Sequence, residues 1–167
     1  MSRTMCVCWP LALVLSMSGA GAAQKGKTKV ELPDAVLKTI QQNCPGAAIG
    51  KLEVAKEEGV TLYDVEFKAE RGEIEVAEDG SIIDIVTIVK LDQIPGAAAT
   101  AIQRGSAGAT IKQLQKSEVR AEVKNGKVIK FESPRYVYEA ELARGTQTSE
   151  IQVAPDGQVI AEPRWKN

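Results

Sequence analysis

The sequence contains no histidine. That absence removes Ser-His and Cys-His activation of a nucleophile and every His-ligated metal mechanism, the commonest routes to hydrolysis and metal catalysis. Cysteine is nearly as scarce. Cys6 and Cys8 fall close to the start, and Cys44 stands alone in the rest of the chain. A lone cysteine makes no internal disulfide, so stability must come from a packed core. Long apolar runs are missing too: Met5 to Met17 falls short of the roughly 20 apolar residues that span a bilayer. Neither sign of charge dominates, with 21 basic and 22 acidic residues, which argues against nucleic acid as the main partner. What remains is a 167-residue chain, 44% hydrophobic and 26% charged, a globular composition with room for one ordinary domain or two small ones.

Arg3, the apolar stretch Met5 to Met17, and then Ser18-Gly19-Ala20-Gly21-Ala22-Ala23 follow the pattern of a secretory signal peptide over 1–23, cleaved after Ala22 or Ala23. The expected location is therefore periplasmic or secreted, with no membrane insertion after cleavage. Gln24-Lys25-Gly26-Lys27-Thr28-Lys29 is polar and aperiodic, so 24–31 is expected to be a flexible leader.

The body of the chain reads as a repeat. Residues 32–53 (LPDAVLKTIQQNCPGAAIGKLE) and 94–115 (IPGAAATAIQRGSAGATIKQLQ) align without gaps, among the matches Pro33/Pro95, Ile40/Ile102, Gly46/Gly108 and Leu52/Leu114. After an insertion in the second copy, Tyr63-Asp64-Val65-Glu66-Phe67 answers Tyr138-Glu139-Ala140-Glu141-Leu142, and Asp79-Gly80 answers Asp156-Gly157. Such self-similarity is the signature of one supersecondary unit used twice.

Period and punctuation give the content of each copy. Pro33 and Pro95 suit helix starts, and Val36, Leu37, Ile40 and Cys44 form one apolar stripe. Pro45-Gly46 closes the first helix, and Gly105 and Gly108 close the second. Farther on the period becomes two: Tyr63, Val65 and Phe67 face one way, Asp64, Glu66 and Lys68 the other. Turns at Glu58-Gly59, Arg71-Gly72, Asp79-Gly80, Asn125-Gly126 and Asp156-Gly157 mark antiparallel hairpins. Ile82 to Val89 is apolar on both faces and is expected to be a strand shielded where the copies meet. The expected fold is α+β: two tandem similar units, 32–90 and 91–167, each a helix packed on an antiparallel β-sheet. The second carries a longer hairpin at 116–135.

A Leu-Pro-x-Ala-Val helix start, Pro-Gly-Ala with a following Ile, then Tyr-x-Val-x-Phe and a Glu-rich strand closed by Asp-Gly resembles the PepSY-like family. That family is similar in fold to the secreted β-lactamase inhibitor proteins. The resemblance covers 32–163 and implies an exported, non-catalytic module that binds proteins or peptides, or restrains an exported enzyme such as a peptidase.

Each candidate site has a structural alternative. Cys44 lies on the apolar stripe and its counterpart in the other copy is Ser106, so it reads as a small packed residue rather than a reactive thiol. The Asp-Gly pairs lack the alternating carboxylates of a cation loop and read as turns. Asp64/Glu66 and Glu73/Glu75 share one strand face at i, i+2, and read as a solvated outer face rather than paired catalytic acids. Tyr63 and Tyr138 read as core. Charge separates the halves: 32–90 is acidic, whereas basic residues concentrate at 116–135. There Arg120, Lys124, Asn125, Lys127, Lys130 and Arg135 form the expected partner-binding surface, on a hairpin that the core does not obviously need. No catalytic residue, metal or cofactor is expected. The expected partner is an exported protein or peptide, not nucleic acid, bound by a monomer. The alternatives are a small molecule held in a cleft between two sheets, or a structural envelope protein.

Overall fold

The computed structural model describes residues 31–69 and 72–165. The expected signal peptide and residues 24–30 of the expected leader lie outside the described residues. In chain order the elements are α1 (Asp34–Asn43), β1 (Ile49–Glu57), β2 (Val60–Phe67), β3 (Glu73–Ala77) and β4 (Ile82–Ile88). A 3-10 turn follows at Leu91–Gln93. Then come α2 (Gly96–Gly105), β5 (Thr110–Lys124), β6 (Lys127–Arg144), β7 (Gln147–Val153) and β8 (Val159–Ala161).

Among the described residues all eight strands form one antiparallel sheet in the order of the chain. This corrects the expectation of two helix-on-sheet units: the chain builds a single sheet carrying two short helices. The joint is the pairing of Asp84–Ile88 on β4 with Val119–Gln115 on β5. Its cause is the β4 sequence. A strand apolar on both faces is costly as a sheet edge, and a ladder on each side makes it central. Among the described residues there is one sheet, and so no cleft between two sheets, the place considered for a small molecule.

Both helices cover the same face. Val36 and Ile40 of α1 pack with Val65, Phe67, Ile74 and Val76, while Ala98 and Ile102 of α2 pack with Leu114, Tyr138, Ala140, Leu142, Ile151 and Val153. The expected α1 stripe is narrower than its sequence suggests, because Leu37 is exposed and Cys44 is half-buried at the helix end. The Thr39 hydroxyl donates to the Gly80 carbonyl at 2.8 Å and pins α1 to the β3–β4 turn. Gly105 lets α2 approach β7, since a Cβ there would collide with Ile151 Cδ1. The Asp-Gly turns close as expected: Asp79 Oδ1 accepts from Ser81 N–H, and Asp156 Oδ1 from Gln158 N–H.

A third apolar cluster sits on the face without helices. Val60, Leu62, Ala77 and Ile83 meet Ala121 of β5, with Val123 and Val128 packed around them. The β5–β6 hairpin reaches them through a break in its ladder. Val119 pairs with Arg135 and Ala121 with Lys130, so residues 131–134 of β6 lie opposite Arg120 alone. Pro134 has no N–H to offer a ladder at that point. Beyond the break, Val123 pairs with Val128 and Lys124 with Lys127 across a turn in which Asn125 and Gly126 both take positive φ, the geometry of a two-residue hairpin. The turn's Gly126 N–H donates to Glu58 Oε2 at 3.1 Å, tying it to the β1–β2 turn. The hairpin is thus part of a core after all, with Ala121 only 1% exposed.

Candidate functional site

Strand register, rather than any local motif, assembles the most unusual feature of the molecule. Glu53 of β1 pairs with Asp64 of β2, Asp64 with Glu75 of β3, and Glu75 with Asp84 of β4. Four carboxylates therefore stand side by side across four strands, all on the helix-free face. A second row runs parallel to it, where Lys51 pairs with Glu66 and Glu66 with Glu73. Directly opposed like charges are destabilising, each pair by about 0.2–1 kcal/mol. Lys51 offsets a small part of this through an exposed ion pair with Glu53 at 2.8 Å.

Burial sharpens the repulsion. Glu75 is only 6% exposed, and Asp64, Glu73 and Asp84 are half-buried. Desolvation, followed by the charges of Asp64 and Asp84, pushes the Glu75 carboxyl up to about 8. The same causes push Glu73 up to about 7. Asp64 is raised chiefly by desolvation and then by Glu53. Asp84 is raised by desolvation against the opposing effects of a hydrogen bond from the Ser117 hydroxyl and of the backbone N–H groups of Ile85 and Glu118. Its Oδ1 is buried and has no hydrogen-bond partner among the described residues. The expectation of a solvated acidic face is corrected here: these acids do share a face, but several of them are largely out of water.

Beside the rows lies an open groove of about 780 Å³. Val86 and Ile88 line it with Glu66, Glu73, Gln113 and Gln115, and Lys51 and Lys68 lie on its β1–β2 side. Gln115 donates to Glu139 at 3.1 Å and Gln152 donates to the other oxygen of Glu139 at 2.5 Å, so the acid on the β6 side is satisfied where Glu75 is not. The arrangement offers hydrogen-bond acceptors and an apolar strip. Among the described residues no cluster of three or more Cys, Asp or Glu is placed to hold a metal ion.

The six residues expected on the hairpin divide into three settings. Lys124, Asn125 and Lys127 are exposed at its tip. Arg120 is held by Glu118 at 2.7 Å, and Lys130 with Arg120 lines a smaller groove of about 520 Å³ against Thr39 and Gln42 of α1. Arg135 lies over the Phe131 ring, 3.7 Å from its centre. Tyr138 is buried and Tyr63 partly buried against the helix-side clusters. Burial raises the Cys44 thiol above its ordinary value, which lowers its reactivity at neutral pH. Sequence reasoning missed the carboxylate rows as a unit, because only register shows that acids from four strands are neighbours. The available signal was one acid at the central outward position of each strand.

No family model matches the chain, and no curated protein matches it. Solved structures do. A periplasm-assigned protein from Bacteroides eggerthii superposes with a TM-score of 0.58 at 14% identity, covering 81% of this chain and 90% of that one. A DUF2874 family protein from Bacteroides uniformis gives 0.55 at 13% identity, with 80% and 88% covered. A BLIP-like protein from Bacteroides fragilis gives 0.52 at 12% identity, with 83% and 89% covered. The chain has a BLIP-like fold.

Proposed function

We propose that this chain is an exported, non-catalytic module that binds a protein or peptide on the helix-free face of its sheet, in an inhibitor-like role. The observation that carries this reading is the uncompensated carboxylate row beside an open groove. A face with no partner has no folding reason to hold buried acids in register at a cost in stability. The absence of histidine from the sequence, and of an activated nucleophile among the described residues, favours binding over catalysis. The signal-peptide pattern of 1–23 and the periplasm-assigned neighbour support export, and the BLIP-like fold supports an inhibitor-like role. The PepSY-like resemblance of 32–163 points the same way.

The test sets the two candidate surfaces against each other. Val86→Arg blocks the groove floor; Lys124→Ser, Lys127→Ser and Lys130→Ser together strip the hairpin tip. Capture of one specific exported protein should be lost with the first variant and kept with the second. Loss only with the hairpin variant moves the surface to the six residues around Asn125. A folded wild-type chain that captures nothing specific contradicts the binding reading.

A further inference from the structure

The chemistry of the partner follows from the row itself. We infer that the helix-free face receives a basic polypeptide segment, whose lysine or arginine side chains enter between Asp64, Glu75 and Asp84. This rests on the binding reading above and adds the partner's charge and form.

Three observations lead to it. First, Glu75 is nine-tenths buried, accepts no hydrogen bond among the described residues, and faces Asp64 and Asp84 directly. Second, Asp84 Oδ1 is buried beside it and accepts no well-formed hydrogen bond among the described residues, although Ser117 holds the other oxygen and the backbone N–H groups of Ile85 and Glu118 lie near the carboxylate. Third, among the described residues no cation forms an ion pair with Asp64, Glu75 or Asp84; Lys51, paired with Glu53, acts on Asp64 only from the β1 end. The charges that act most strongly on Glu75 are those of Asp64, Asp84, Glu57 and Glu73, and all four are acids. A guanidinium or ammonium placed there satisfies acceptors that the fold leaves open, and gains most because the site is partly desolvated.

The shape selects a chain rather than a single small cation. From β1 to β5 the face spans about 19 Å, the length of about six extended residues. Val86 and Ile88 offer the apolar strip, while Gln113 and Gln115 offer amides to a peptide backbone. Complementary charge also steers such a partner toward the acidic half of the molecule.

The experiment is calorimetric titration of the full mature chain with a ten-residue polylysine peptide at pH 8.5 and physiological salt. Saturable one-to-one binding is expected. It should weaken about tenfold or more in Glu75→Gln and in Asp64→Asn, and be unchanged in a control with Asp34→Asn and Asp92→Asn on the helix side. At pH 5.5 Glu73 and Glu75 are protonated, and wild-type binding should fall by a similar factor. Equal weakening in the control, or no binding at pH 8.5, overturns the inference. Circular dichroism of each variant separates lost binding from lost folding. If the partner captured above still requires an open groove but binds Glu75→Gln and Asp64→Asn undiminished, the binding reading stands and the basic-segment inference falls.

Discussion

The two faces of the sheet are built from the same strands and solve opposite problems. On the helix side, β2 presents Tyr63, Val65 and Phe67, and α1 and α2 cover the apolar surface in two buried clusters. On the other side the intervening residues of β2 are Leu62, Asp64 and Glu66. Only the Leu62 end is sealed, by Ala121, Val123 and Val128 of the bent hairpin. One face is finished by folding. The other is closed at one end and left acidic, grooved and electrostatically strained over the rest. The difference teaches that alternation assigns residues to a face but does not say what covers it.

Substitutions should separate the faces by size of effect. Ile74→Ala, in the cluster beneath α1, should cost about 3–5 kcal/mol in urea denaturation. A loss below about 1 kcal/mol would mean that the helix side is not the main core. Ala121→Asp should cost about 2–4 kcal/mol and speed amide exchange over 121–130, because it places a charge in the third cluster. Unchanged exchange would show that the hairpin tip is not seated.

The acidic face makes stability depend on pH in an unusual direction. Glu73 and Glu75 titrate near 7 and 8 when folded, against 4.5 for the ordinary value. The folded chain therefore holds protons that the unfolded chain releases. Stability rises as pH falls from about 8 toward 4.5 and levels off below it, a gain of about 2 kcal/mol after allowance for coupling within the row. A melting temperature that drops steadily from pH 8 to pH 5 would break the comparison. Glu75→Gln should raise the melting temperature at pH 8.5 by about 3–5 °C, near 1 kcal/mol, and flatten the pH profile. The smallest effect belongs to the hairpin tip: replacing Lys124, Lys127 and Lys130 with Ser should change stability by less than about 0.5 kcal/mol, since all three are exposed.

Much of the local structure was legible. The proline-started helices, the Tyr63/Val65/Phe67 alternation, the Asp-Gly turns and the Asn125-Gly126 hairpin with its Val123–Val128 pair all follow from short-range chemistry that the chain carries in consecutive residues. The single sheet was not legible as such, because the β4–β5 pairing joins residues more than 25 positions apart and no turn announces it. The same limit hid the site. Glu53, Asp64, Glu75 and Asp84 each look like an ordinary outward acid on its own strand. Their proximity exists only once four strands are in register. The hairpin's role in a core was hidden for a related reason: Ala121, Val123 and Val128 read as strand filler until the ladder break at Arg120 turns them onto Leu62 and Ile83.

The central claim is that the helix-free face holds carboxylates whose charge the fold leaves uncompensated. Carbon-13 NMR titration of the Glu side-chain carboxyls, assigned with Glu73→Gln and Glu75→Gln, measures this directly. The account predicts two glutamates titrating far above the rest, one near 7 and one near 8. Every glutamate titrating between about 4 and 5, in the ordinary range for solvated acids, would contradict it.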